Sequence, residues 1–269
     1  MSKKYQAIVS DLDGTLLKNH LEVTDNTRSI LLEAHEKGIK LVIATGRPYQ
    51  LVKKYRRELP FIDYYILNNG AAIYDCRTEQ YLMQSFINDS DIRRLTRFAT
   101  ENNTDFEFHT HDALIVSGSK RWQYFVDYVK NLKESIQPNI IRYDAKSTYT
   151  NITKLMLIQE DFERYQTLKE KLQTIPELNV VQSQYSYIDI SNRAISKGAA
   201  LKYLVNHNGW NPEQIIALGD QENDISMLNY AGISVAMGDA IKTLKDISDY
   251  VTLTSDDEGV HHALKKLKI

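Results

Sequence analysis

The chain has 269 residues, 42% hydrophobic and 25% charged, a globular composition that excludes a disordered tail or a fibre. Its 33 basic and 35 acidic side chains leave a net charge of −2, so no global field attracts nucleic acid or an anionic membrane. Every apolar run is shorter than the roughly 18 residues a membrane span needs. The single Cys76 closes no disulfide within the chain and builds no thiolate metal cluster. Met1-Ser2-Lys3-Lys4 leads into a strand-like segment without a signal-peptide pattern, and a cytoplasmic protein is expected.

Tyr5–Ser10 is a short β-rich run that breaks at Asp11-Leu12-Asp13-Gly14. An amphipathic stretch from about Asp25 to Lys37 predicts a helix closed by Gly38. Ile39–Ala44 predicts a strand, broken at Thr45-Gly46-Arg47-Pro48. A helix over Tyr49–Glu58, a strand over Tyr64–Leu67 and a turn at Asn68-Asn69-Gly70 follow. This alternation is the pattern of a parallel sheet with right-handed crossovers.

Past Ile87 the pattern changes. Helices are predicted near Ser90–Asn102, Lys120–Glu134 and Asp161–Gln173, with strands at Phe106–His109, Ala113–Val116 and Lys154–Ile158. Val180–Gln184 and Tyr187–Ile190 suggest a hairpin. Beyond Ser191 the first pattern returns: helix Gly198–Asn206, strand Ile215–Leu218, helix Asn223–Tyr230, and strands Ile233–Ala236 and Tyr250–Leu253. The expected fold is α/β, a doubly wound parallel-sheet core over residues 1–83 and 191–269. An inserted α+β domain over 84–190 interrupts it.

Ligands of open α/β sheets gather at the carboxyl ends of the strands. Asp11 and Asp13 stand there after the first strand, Thr45 after the second, and Asp220 after Ile215–Leu218, with Asn223 and Asp224 just beyond. Lys197 opens a helix. Three or four carboxylates on one rim cannot all ionise without compensation, and a hard oxygen donor set favours Mg²⁺. Carboxylates with a lysine also describe a site for a dianionic phosphate.

Asp11-Leu12-Asp13-Gly14-Thr15-Leu16 resembles the first motif of the haloacid dehalogenase (HAD) superfamily of phosphohydrolases. Ala44-Thr45-Gly46-Arg47 resembles the second motif, Ile195-Ser196-Lys197-Gly198 the third, and Gly219-Asp220-Gln221-Glu222-Asn223-Asp224 the fourth. Their order and the long insertion between the second and third resemble the Cof-type subfamily with its class IIB cap, and Ala231–Gly238 fits it too. The resemblance spans the core, while the insert matches in size and pattern. A chance D-x-D-G-T-L is expected in roughly one chain in a thousand of this length.

The resemblance implies a Mg²⁺-dependent phosphohydrolase of small phosphorylated metabolites, sugar phosphates or related phosphomonoesters. Asp11 would be the nucleophile that forms an aspartyl-phosphate. Asp13 would be the general acid for the leaving alcohol and then the base for the hydrolytic water. Asp11, the Asp13 backbone carbonyl and Asp220 would hold the metal, with Asp224 orienting or supplementing them. The Leu12 amide, Thr45, Gly46, Lys197 and Asn223 would donate to phosphoryl oxygens. A phosphotransferase or mutase shares the aspartyl-phosphate and is the rival enzyme. The rival from another class is a non-catalytic metabolite-binding protein. A bulky insert argues against protein or nucleic-acid substrates, and nothing points to a membrane or names an oligomeric partner.

Other features carry less. His109-x-His111 has no third ligand nearby and is expected on an exposed strand or turn of the insert. His261-His262 reads as a polar helix face and Lys265-Lys266-Leu267-Lys268 as a solvated helix end. Tyr124, Tyr128, Tyr143, Tyr149, Tyr185 and Tyr187 are expected to pack in the core and rim of the insert. Arg47 reads equally well as a substrate or cap contact and as surface charge.

Overall fold

The computed structural model describes residues 5–269 apart from Asn131, Glu134 and Ser135, and apart from the side chain of Gln184. Met1–Lys4, on which the leader reading rests, and the expected helix end at Glu134 lie outside the described residues.

Strand β1 is Ala7–Ser10, buried throughout. Helix α1, Asp25–Glu36, starts where the Thr24 hydroxyl accepts from the Thr27 amide, an N-cap that satisfies one orphan donor. β2 (Lys40–Ala44), α2 (Tyr49–Glu58) and β3 (Tyr64–Leu67) follow as the alternation predicts. Two further strands come next, β4 (Ala72–Asp75) and β5 (Gln80–Gln84). They are not legible in the sequence pattern, because β4 turns back antiparallel onto β3, with Leu67 opposite Ala72, and so lacks the crossover helix that marks the other strands.

The chain continues through α3 (Asp89–Glu101), β6 (Asp105–His109), β7 (Leu114–Val116), α4 (Ser119–Lys130) and β8 (Ile140–Arg142). β9 (Lys154–Ile158), α5 (Phe162–Gln173), β10 (Leu178–Gln184) and β11 (Tyr187–Asn192) come next. Then come α6 (Lys197–Asn208), β12 (Ile215–Gly219), α7 (Ile225–Leu228), β13 (Ile233–Ala236), α8 (Lys242–Ile247), β14 (Tyr250–Val251) and α9 (Gly259–Lys266). β8 is only three residues, Ile-Ile-Arg, none of them fully buried, a run too short to stand out as a strand. The helix expected at Asn223–Tyr230 is instead a 3-10 turn, Glu222–Asp224, running into the short α7.

The chain divides into two compact units. The first runs to Gly46 and includes Leu59–Met83 and Ser196–Ile269. Its sheet has the order β14-β13-β12-β1-β2-β3-β4-β5, parallel from β14 to β3. β1 lies between β12 and β2, with Ala7 opposite both Ile215 and Lys40. Strand order therefore runs away from β1 in both directions, the switch point at which open α/β sheets form a crevice.

The second unit comprises Arg47–Glu58 and Gln84–Ile195, with the sheet order β10-β11-β9-β6-β7-β8. Ile92 and Leu95 of α3 and Tyr165, Leu168 and Leu172 of α5 join one cluster with Phe106, Phe108, Leu155, Leu157, Ile188 and Ile190 from the strands. A smaller cluster joins Leu51 of α2 to Leu114, Val116 and Phe125. Strand alternation turns Glu107, His109, Lys154 and Asp189 away from the larger cluster, and all four are buried. Lys154 Nζ lies 3.1 Å from Asp189 Oδ1, His109 Nε2 lies 3.2 Å from Glu107 Oε2, and Arg121 Nε donates to Glu107 Oε1.

His109 therefore corrects the expectation of an exposed strand: it is 3% exposed and paired with a carboxylate, while His111 stays on the surface. A polar layer assembled from three strands is invisible in any one of them. The tyrosines divide as well. Tyr143 and Tyr149 pack against Phe108, but Tyr124 and Tyr185 are 53% and 66% exposed.

Candidate active site

The first unit assembles its polar residues where β1 and β12 end. The Asp11 amide donates to Leu218 O at 3.0 Å, carrying the strand pairing one residue past β1 and delivering Asp11 to the rim. Leu12 is fully buried, and its carbonyl accepts from the amides of Leu16 and Leu17 at 3.1 and 3.0 Å. That apolar anchor pins the loop between Asp11 and Asp13. Gly14 has φ +80°, and a Cβ there would stand 2.4 Å from Asp220 Oδ2. Only glycine lets the first loop lie this close to the carboxylate that follows β12. Thr15 Oγ1 then donates to Asp220 Oδ1 at 2.8 Å.

Lys197 is the first residue of α6, just inside the N-cap where Ser196 Oγ accepts from the Ala199 amide at 3.0 Å. Its side chain is wholly buried, with Nζ 2.5 Å from Asp11 Oδ1 and 2.6 Å from Asp224 Oδ1. The other Asp224 oxygen accepts from the amides of Asp220 and Gln221 at 3.0 and 3.1 Å. Asp11, Asp220 and Asp224 each offer a carboxylate oxygen within 4.8 Å of the others.

Three buried carboxylates thus share one ammonium. Burial drives the Asp11 pKa well above its ordinary value; Lys197 opposes the rise, and Asp224, Asp220 and Asp13 add to it. Asp220 is pushed up to about 7, by burial first and the Asp224 charge second, against the hydrogen bond from Thr15. Burial alone would lower the Lys197 pKa, but Asp11 and Asp224 reverse this and hold the ammonium charged. The excess negative charge, borne by oxygen donors alone, fits a hard divalent cation.

A further set of groups adjoins this cluster. Thr45, fully buried, donates its amide to Ile66 O at 2.8 Å past the end of β2, and its carbonyl accepts from the Asn69 amide at 3.0 Å. Gly46 follows, half-buried. Asn223 Nδ2 donates to Asn69 Oδ1 at 2.9 Å, and Asn223 Oδ1 is buried without a hydrogen-bond partner among the described residues. Asp13 is half-buried and near enough for its charge to raise the Asp11 pKa.

Direct contact therefore joins Lys197 to Asp11 and Asp224, with Asp220 alongside, while Thr45 and Asn223 are joined through Asn69. Two residues of the network escaped the sequence reading. Thr15 lies inside the first hexapeptide. Asn69 follows β3 at the carboxyl end of a strand, the same criterion that singled out Thr45.

Residues 8–264 match the family of haloacid dehalogenase-like hydrolases. The phosphatase YwpJ of Bacillus subtilis is 30% identical, over 97% of this chain and 99% of its own. The 5-amino-6-(5-phospho-D-ribitylamino)uracil phosphatase YcsE of the same organism is 28% identical, over 96% and 94%. Among solved structures, a haloacid dehalogenase-like hydrolase from B. subtilis superposes with a TM-score of 0.86 at 26% identity, covering 97% of this chain and 99% of that one. The HAD subclass IIB sugar phosphatase BT4131 superposes with a TM-score of 0.84 at 25% identity, covering 98% and 99%.

Proposed function

Because the chain belongs to the haloacid dehalogenase-like hydrolases, we propose that it is a Mg²⁺-dependent phosphatase of small phosphorylated metabolites that works through an aspartyl-phosphate on Asp11. The observation that carries this reading is the buried Lys197 bridging Asp11 and Asp224 beside Asp220. A lysine costs several kcal/mol to bury unpaired, and here its charge opposes the rise that burial imposes on the Asp11 pKa.

In the first half-reaction an Asp11 oxygen bonds to phosphorus as the ester P–O bond breaks, and the leaving oxygen takes the proton carried by Asp13. In the second half, water gives a proton to the Asp13 carboxylate as its oxygen attacks phosphorus and the Asp11–phosphorus bond breaks. Orthophosphate departs, leaving Asp11 ionised and Asp13 protonated as at the start. The Leu12 amide, Thr45, Gly46, Lys197 and Asn223 donate to the phosphoryl oxygens and hold the group in line. Mg²⁺, bound by Asp11, Asp220, Asp224 and the Asp13 carbonyl, would offset the charge that carboxylates and phosphate bring together.

The second unit, with the insert at 84–190 at its heart, is assigned to substrate selection. The names of the sugar phosphatase and the ribitylaminouracil phosphatase support a phosphorylated sugar or polyol as the substrate class. The test is phosphate release from a panel of phosphorylated sugars, polyols and nucleotides. Turnover should vanish in EDTA and return with Mg²⁺. Full activity in chelator, with no metal detectable in the protein, would remove the metal assignment. Label from the substrate appearing on a second sugar hydroxyl in place of free phosphate would favour the phosphotransferase reading.

A further inference from the structure

The turn Asn68-Asn69-Gly70 touches three of the four segments that form the site. Asn68, Asn69 and Gly70 all have positive φ, at 50°, 57° and 104°. Asparagine tolerates this left-handed region better than other side chains, and glycine occupies it freely. The Asn69 amide donates to Thr45 O at 3.0 Å. A Cβ on Gly70 would lie 2.2 Å from Ser196 O and 3.1 Å from the Lys197 amide, so the turn rests directly on the start of α6. The Asn69 side chain reaches the third segment, accepting from Asn223 Nδ2 at 2.9 Å. Both asparagines are buried, at 2% and 8% exposure.

We propose that Asn69 is a positioning residue for phosphate binding: its carboxamide oxygen fixes which end of the Asn223 amide faces the phosphoryl group. The proposal rests on the phosphatase reading above and adds a residue to it. A carboxamide has a donor end and an acceptor end of nearly equal shape. An anion needs the donor, and an oxygen turned toward it repels. Asn69 Oδ1 can only accept, so it selects the Nδ2 end of Asn223. One N–H is used on Asn69, and the second remains for a phosphoryl oxygen. Asn223 Oδ1 has no partner among the described residues, so nothing at that end holds the orientation. With the Asn69 oxygen removed, the amide is free to turn its acceptor end to the anion.

The test is a double-mutant cycle on the full chain with Mg²⁺ present, using inorganic phosphate affinity by calorimetry and kcat/KM on a phosphomonoester as readouts. Asn69→Gly keeps the left-handed turn and the amide bond to Thr45 while deleting the side chain. It should weaken phosphate binding and lower kcat/KM about tenfold, the scale of one lost hydrogen bond. In an Asn223→Ala background the same change should cost nothing further, because Asn69 acts through Asn223. Fold-losses that multiply in the double variant, or wild-type phosphate affinity in Asn69→Gly, would overturn the proposal.

Asn69→Ala, read in the same cycle, guards against a folding defect of the glycine variant. Loss of the folded state in both would assign Asn69 to stability alone and also overturn it. Coupled phosphate binding in a wild type that hydrolyses no phosphomonoester would instead sink the phosphatase reading while leaving the positioning role in place.

Discussion

Asp11 and Asp13 flank one buried leucine, yet their surroundings separate them. Asp11 is 5% exposed and held by Lys197, whereas Asp13 is half-buried at the loop. Asp11→Asn should form no covalent phosphoenzyme at all. Asp13→Asn keeps the nucleophile and the Asp13 backbone carbonyl, so it should lose about 10²–10⁴ in rate. That loss should be least on p-nitrophenyl phosphate, whose leaving group needs little protonation. A single-turnover assay with labelled substrate and acid quench reads both variants. Label retained on Asp11→Asn, or an equal loss by Asp13→Asn across leaving groups, would reverse the assignment. Lys197→Met leaves the carboxylates buried without their counter-ion, which should lower stability by about 3–5 kcal/mol. Urea denaturation of the metal-free protein measures this, and an unchanged midpoint would show that Lys197 is not the charge holding the cluster together.

Between elements, the polar layer on β6, β9 and β11 makes the second unit sensitive to acid. Burial lowers the His109 pKa from 6.5, Lys154 adds to this, and Glu107 and Asp189 oppose it. Burial would raise Glu107, but its hydrogen bonds and charge interactions with His109 and Arg121 prevail and lower it from 4.5. Both folded-state values are depressed, so the unfolded chain takes up protons first as pH falls, and stability declines with it. The His109 contribution is complete above its unfolded value of 6.5 and is lost as pH falls toward its lower folded value. The Glu107 contribution goes at lower pH, below 4.5. Between pH 8 and 5.5 the urea midpoint of the wild type should therefore drop relative to that of His109→Gln, a comparison from which the opposite drift due to the raised Asp11 and Asp220 cancels. Parallel curves for the two proteins would place the acid sensitivity elsewhere.

At the scale of the whole chain, two compact units are built from one polypeptide that leaves the first and returns to it twice, at Arg47–Glu58 and at Gln84–Ile195. The second has its own cluster of buried residues, drawn from α3, α5 and the strands of its sheet. Segments that connect units carry few contacts of their own and are the preferred sites of cleavage. Limited proteolysis should therefore cut near the exposed Phe86 and near Ala194, at the two junctions of the insert read at 84–190. Resistance at both places, with first cuts inside either unit, would count against an inserted domain. Among the described residues no helix is long and apolar enough to cross a membrane.

Legible in the sequence alone were the parallel strands of the first unit with α1 and α6, the change of pattern past Ile87, and the four segments that hold Asp11, Thr45, Lys197 and Asp220. These were legible because each is local. A strand announces itself by its apolar run, a loop by its glycine, and the chemistry-bearing residue falls at the junction. Whatever depends on partners distant in the chain came only with the fold. Asp11 and Lys197 are 186 residues apart and Asn69 and Asn223 are 154 apart, so neither pairing can be read from spacing. The strand β4 was hidden because its pairing is antiparallel and follows a three-residue left-handed turn. His109 looked like a surface histidine because the Lys154 and Asp189 that enclose it with Glu107 lie on two other strands, β9 and β11. Local pattern sets which residues reach the rim of a sheet, but only strand register and close backbone approach decide which of them share a charge or a hydrogen bond.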